Sequence, residues 1–205
     1  MANDDLHTVT IHSRVNRGAA IACWALIAAI GGLLVLQSEP RGAVAAAIVA
    51  LWLGYAVLVF LWAPALVVDD RASRIRNPLR TIEIVWDALI HVDTKYALTL
   101  FTPGRSWPVW VAPQPGALAA RRAARRSRDE DRSAPRSPLD TGVRVGDLPG
   151  TESGDAAALV RRRWAERADR SADADAIAVP VTVHWARAAA LVLGPVLAST
   201  VPLLV

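Results

Sequence analysis

The side chains able to do chemistry are few and poorly grouped. The four histidines are His7, His12, His91 and His184. A metal pair on one helix face needs ligands four residues apart, and no two of these have that spacing. The single cysteine, Cys23, lies inside an uncharged run, where a thiolate would be desolvated. A small apolar packing role suits it better than catalysis, and an intrachain disulfide is ruled out. Two acidic clusters occur, Asp69-Asp70 and Asp129-Glu130-Asp131. General acid–base work requires a carboxylate held in a desolvated pocket. The first cluster falls in a polar turn and the second in a polar stretch, so both read as solvated. Neither a Walker loop, nor a dinucleotide fingerprint, nor a nucleophile elbow is present. The expectation is a protein with no enzymatic activity, no metal and no cofactor.

Arginine is the remaining candidate. All basic residues but Lys95 are arginine, 22 of 23. Arg121, Arg122, Arg125, Arg126 and Arg128 form one dense run and Arg161-Arg162-Arg163 another. Their functional reading is contact with anionic lipid headgroups, worth about 1 kcal/mol per charge near a membrane surface. The plainer reading is a topology signal plus a solvated face. Nucleic acid is not an expected partner: residues Val68 to Val183 carry 19 basic against 16 acidic side chains, a net charge of only +3.

These side chains must be positioned by two kinds of element. The 205-residue chain is 53% apolar and 20% charged, with a mean hydropathy of +0.29. That average blends three nearly uncharged blocks with a charged remainder. The first block runs from Gly18 to about Leu36 and the second from Gly42 to Val68, with Gln37-Ser38-Glu39-Pro40-Arg41 between them. A helix of about 20 residues crosses the hydrocarbon core, and so short a linker makes the two an antiparallel hairpin. A secretory signal is disfavoured because Asp4 and Asp5 lie in the long leading segment. Pro64 is expected to end the second helix, since proline lacks the amide donor. Trp62, near that end, suits either an interfacial anchor or packing against the first helix. The Gly31-Gly32 pair suits close helix packing. The third block, Ala188 to Val205, is expected to be a third span despite Pro195 and Pro202, although an interfacial tail is the rival reading. Arginine places the termini: Arg14 and Arg17 precede the first span, and Arg71, Arg74, Arg76 and Arg80 follow the second. The N-terminus and middle segment are therefore expected to be cytoplasmic.

From Ala65 the apolar period changes to alternation, which reads as strands. Ala65 to Val68, Arg74 to Arg76, Thr81 to Val85, Ile90 to Thr94, Tyr96 to Thr102 and Trp107 to Val111 are the expected strands. Ile82, Ile84 and Trp86 share one face. Trp86 to Leu89 reads as a single turn, Pro103-Gly104-Arg105 as a tight turn, and Pro108 argues for an edge position. The expected fold is an antiparallel meander closed as a sandwich or barrel.

Four segments carry a family resemblance: Leu66-Val67-Val68, Ile75-Arg76-Asn77-Pro78-Leu79-Arg80, Ile84-Val85-Trp86-Asp87-Ala88-Leu89 and Val109-Trp110. In these, and in the order hairpin then β domain, residues 20 to 115 resemble the bacterial PH-like domain family, in the branch named after low-molecular-weight protein antigen 6. The resemblance implies a twisted β sandwich capped by a C-terminal helix, with no established enzymatic activity. Either Ala117 to Arg126 or Ala156 to Ala168 supplies that cap. Arg71, Arg74, Arg76 and Arg80 surround the first hairpin, where eukaryotic PH domains bind headgroups, and are the candidate lipid-headgroup residues.

The expected whole is an α+β membrane protein: a transmembrane helical hairpin, a small antiparallel β PH-like domain and a C-terminal transmembrane helix. Its parts are a cytoplasmic N-terminal tail (1–17), the hairpin (18–64), the PH-like β domain (65–126), a disordered linker (127–154), a cytoplasmic helix (155–170) and a third transmembrane helix (184–205). The linker's composition of Arg, Asp, Ser, Pro and Gly buries too little apolar surface to fold. The expected function is a non-catalytic interaction or scaffold module at the cytoplasmic face of the cell membrane. An accessory structural subunit of a larger membrane complex and anionic-lipid binding by the PH-like domain are the alternatives. Membrane lipids and a membrane or cytoplasmic protein are the expected partners.

Overall fold

A computed structural model describes residues 8–113, 116, 121, 125, 147–168 and 178–201. The chain is α+β and divides into two compact units. A helical unit holds His12–Pro64, Asn77–Thr81 and Thr182–Val205, and a β unit holds Met1–Ile11, Ala65–Arg76 and Ile82–Val181.

In the helical unit, α1 spans Arg14–Gln37. The Ser13 hydroxyl starts it by accepting the Asn16 amide N–H at 3.0 Å, which satisfies one of the four orphan donors of a first turn. Helix α2 spans Pro40–Val57, with Pro40 at its first position, where the missing amide costs nothing. It continues as a π-helical turn, Leu58–Trp62, and stops before Pro64 as expected. The two helical runs, Arg14–Gln37 and Pro40–Trp62, have 24 and 23 residues and are long and apolar enough to cross a membrane. At about 1.5 Å per residue each exceeds the roughly 30 Å hydrocarbon core. Leu26, Ile30, Leu33, Leu36, Leu51 and Leu53 lie exposed along them.

Where α1 and α2 cross, a Cβ on Gly31 would stand 2.9 Å from the Ala50 Cβ, while nothing lies near Gly32. The first glycine of the pair is thus the one at the contact. Trp24 on α1 donates its indole N–H to the Gly54 carbonyl on α2 at 3.0 Å. Its ring lies 5.3 Å from that of Trp62, and the Arg17 guanidinium lies 4.9 Å over Trp62. Trp62 therefore does pack against the first helix.

Helix α3, Glu152–Ala168, belongs to the β unit. Helix α4, Trp185–Thr200, belongs to the helical unit. At 16 residues, α4 rises about 24 Å, less than the third span expected over 184–205. Residues 202–205 lie outside the described ones. Pro195 sits inside α4 and cannot donate to the Leu191 carbonyl four residues earlier. The Trp52 indole N–H of α2 fills that vacancy, donating to the Leu191 carbonyl at 3.0 Å. Gly194 admits the indole: a Cβ there would overlap the Trp52 ring.

The strands are β1 (Val9–Ile11), β2 (Ala65–Val68), β3 (Ala72–Arg76), β4 (Arg80–Val85), β5 (His91–Asp93), β6 (Ala97–Thr102), β7 (Arg105–Pro113) and β8 (Val181–Val183). One sheet has the order β1-β2-β3-β4-β8 and the other β5-β6-β7. The pairings of β1 with β2, β2 with β3, β5 with β6 and β6 with β7 are antiparallel. Strand β7 stands at a sheet edge, as Pro108 suggested. Strands β1 and β8 have no counterpart in the expectations. Residues 9–11 of the expected tail pair with β2, Val9 opposite Val68 and Ile11 opposite Leu66.

Both sheets contribute to one core. Leu66, Val68, Ile75, Ile82 and Ile84 meet Val92, Leu98, Leu100, Trp107 and Val109 within it. The expected face of Ile82, Ile84 and Trp86 is buried. Helix α3 closes this core with Ala156, Ala157 and Val160, which share one helical face with the i, i+3/i+4 spacing. Of the two expected cap segments, 156–168 is this helix. Most of the other, 117–126, lies outside the described residues, as do residues 127–146 of the expected linker. Residues 147–151 form an ordered entry to α3, in which the Thr151 hydroxyl accepts the Gly154 N–H at 3.1 Å and donates to the Leu148 carbonyl at 2.7 Å. The helix thus begins at Glu152 rather than 155.

Candidate functional site

The four candidate headgroup arginines are not one free cluster. Asp69 organises the β2–β3 turn, its Oδ1 accepting the Arg71 amide N–H at 2.8 Å and the Ala72 amide N–H at 2.7 Å. A turn of this kind holds the chain while it reverses between strands. The Trp86 indole N–H adds a bond to the Asp69 carbonyl at 3.2 Å. Asp69, read from sequence as one of a solvated pair in a turn, thus organises the hairpin.

Arg71 points outward from this turn and is exposed. Arg74, in the middle of β3, lies between two carboxylates: its Nη2 is 3.5 Å from Asp69 Oδ2 and its Nε 3.2 Å from Glu83 Oε2. Its charge is therefore met within the fold. Arg76 is exposed at the end of β3 in the β unit, and Arg80 is exposed at the start of β4 in the helical unit.

The same neutralisation recurs on α3. Arg163 Nη1 lies 3.0 Å from Asp70 Oδ1 and 3.5 Å from Glu166 Oε2. Arg161 Nη1 donates to Asp147 Oδ1 at 2.8 Å, and its Nη2 donates to the Val92 carbonyl at 3.2 Å. Two members of the 161–163 run therefore tie α3 to the β unit. These half-exposed pairs contribute about 0–1 kcal/mol each, so they orient the helix more than they stabilise it. The other arginine run lies outside the described residues except Arg121 and Arg125.

In the helical unit the Asn77–Thr81 turn meets the start of α4. The His184 N–H donates to the Leu79 carbonyl at 2.8 Å. Thr81 Oγ1 lies 3.0 Å from His184 Nε2, and Arg187 Nη1 donates to the Pro78 carbonyl at 3.2 Å. Burial, and secondarily the Arg187 guanidinium, lowers the pKa of His184, which precedes the apolar helix. Sequence alone singled out neither His184 nor Arg187 for this contact. The separation of about a hundred residues left no local signal.

Asp69→Ala is expected to destabilise the β unit by about 1–2 kcal/mol, because two backbone donors lose their acceptor. Asp69→Asn, which retains an acceptor oxygen, is expected to lose less than half of that. Denaturant midpoints of the two variants check the difference.

Compared with protein-family models, with curated proteins and with solved structures, the chain matches none.

Proposed function

We propose that the protein is a membrane-anchored, non-catalytic interaction module. Its helical hairpin crosses the bilayer, and its β unit, PH-like in the sense of the sequence resemblance, holds a protein partner at the cytoplasmic face. The observation that carries this reading is the direct junction of two different surfaces. Helices with exposed leucines and isoleucines on several sides end at Pro64, and β2 begins at Ala65. Exposed apolar area of that extent is stable in lipid and unfavourable in water. A β unit joined without a linker would be confined to the membrane plane, which raises its effective concentration toward membrane partners.

Strand β7 is the proposed docking edge. Among the described residues it is the longest strand, with nine residues, and stands last in its sheet. Trp110 on it is half-exposed, which offers a partner an aromatic surface. In this reading α4 forms the third, shorter membrane segment, and the arginines flanking the spans put the N-terminus and the β unit in the cytoplasm. An accessory-subunit role draws less support. The close approaches at Gly31 and Gly194 are occupied by Ala50 and Trp52 of the same chain, so these faces are already used internally.

The test is site-specific photocrosslinking from position 110 in cells, with the native spans and with unrelated spans in their place. A module gives the same discrete adduct in both. Loss of the adduct on swapping the spans supports the subunit role instead. Release of the chain from membranes at alkaline pH would remove the anchoring itself.

A further inference from the structure

We infer that the start of α4, with the Asn77–Thr81 turn beside it in the helical unit, is a docking surface for anionic phospholipid headgroups, built on Arg80 and Arg187 rather than on Arg71 and Arg74 of the β unit. The inference rests on the membrane reading above.

The argument is the sorting of charge. The helical unit contains five arginines, Arg14, Arg17, Arg41, Arg80 and Arg187, and a single carboxylate, Glu39. Glu39 and Arg41 stand at the α1–α2 connection and offset each other there. Arg14 and Arg17 stand at the start of α1, away from that connection, and Arg80 and Arg187 stand at the Asn77–Thr81 turn and the start of α4. His12 Nδ1 lies 3.3 Å from the Pro64 carbonyl, joining the start of α1 to the end of the second helical run. Arg17 lies over Trp62 at the same end. Arg80 lies in the Asn77–Thr81 turn of the same unit. Arg187 and His184 bond to the turn's carbonyls. Arg80 and Arg187 therefore stand together at the start of α4, to which the helical unit supplies no carboxylate side chain.

Their availability differs. Arg17 is engaged with the Trp62 ring. Arg80 is exposed. Arg187 gives one N–H to the Pro78 carbonyl, and a guanidinium carries five, so it can still take a phosphate oxygen. Beside it, Trp185 is 75% exposed. An exposed indole between an apolar helix and arginines suits the headgroup level of a bilayer. In the β unit, where Arg71 and Arg76 are also exposed, the arginines stand among carboxylates: Arg74, Arg161 and Arg163 each face one within 3.5 Å. A phosphate there would compete with a partner already in place. Charge complementarity therefore favours the start of α4, and a lipid phosphate is the anion a membrane brings to it.

The test uses the full chain, purified in detergent and titrated with phosphatidylglycerol or with phosphatidylcholine of the same acyl chains, with bound lipid counted by native mass spectrometry. Phosphatidylglycerol is expected to be retained several-fold more than phosphatidylcholine. The preference should vanish in Arg80→Gln/Arg187→Gln, persist in Arg80→Lys/Arg187→Lys, which keeps the charge, and persist in Arg71→Gln/Arg74→Gln. Equal retention of the two lipids overturns the inference. So does a preference that survives Arg80→Gln/Arg187→Gln, or one abolished by Arg71→Gln/Arg74→Gln. Failure of the membrane reading looks different, since a chain released from membranes at alkaline pH would retain neither lipid.

Discussion

Gly194→Ala is expected to separate α4 from α2 and to destabilise the helical unit by about 2–4 kcal/mol. Alanine alone favours a helix over glycine by about 1 kcal/mol, so local propensity predicts the opposite sign. The tertiary contact outweighs it. A Cβ at this position would overlap the Trp52 indole, and overpacking of this kind costs about 1–3 kcal/mol. The displaced indole would also leave the Leu191 carbonyl, whose helical donor Pro195 lacks. An unsatisfied carbonyl costs about 1–3 kcal/mol in a protein interior and more in hydrocarbon. Two controls isolate the terms. Trp52→Ala combined with Gly194→Ala should be less destabilised than the sum of the single changes, because the overlap is gone. Trp52→Phe should cost less when Pro195→Ala restores the amide N–H to the Leu191 carbonyl. Unfolding of the single and double variants in mixed micelles, followed by tryptophan fluorescence, checks both.

Val160→Asp is expected to detach α3 from the β unit at a cost of about 3–5 kcal/mol. Val160 is 0% exposed and lies in the core with Ala156 and Ala157. A carboxylate placed there would be buried with no partner, a cost of several kcal/mol. Detachment would also release the bonds of Arg161 to Asp147 and Val92 and of Arg163 to Asp70. Trypsin should then cut rapidly at Arg161-Arg162-Arg163, which the folded helix protects. Arg161→Gln/Arg163→Gln removes the ion pairs but keeps the apolar contact, and is expected to cost about 1–2 kcal/mol, since exposed pairs contribute little. If the two variants were cut equally fast, the ion pairs rather than the apolar face would be holding α3.

The elements that local pattern predicts are those whose pattern is complete within the element. Helices α1 and α2 are uninterrupted apolar runs bounded by Ser13, Pro40 and Pro64. Strand β4 alternates over its own length, and Trp86–Ala88 is a turn between strands as the residues suggested. Strands β1 and β8 have three residues each, too few for a period to emerge. Val9–Ile11 becomes a strand because the backbone of β2 accepts it. The candidate arginines were legible as positive charge, but charge in sequence does not show its counter-ion. Asp69 and Arg74 are close enough to suspect a pair, whereas Glu83 meets Arg74 across the sheet.

What the sequence determines by itself is the division into apolar helices and an alternating β segment. Burial requires a period, and a period is visible in one dimension. The tertiary structure alone decides which polar groups remain available, since hydrogen bonds and ion pairs join residues far apart in the chain. Pro195 shows the difference: along the sequence it weakens a helix, whereas in the fold the carbonyl it leaves unpaired receives the Trp52 indole. Arg187 shows it too, because its companions Pro78 and Arg80 lie more than a hundred residues away, and only folding brings the two arginines to one turn.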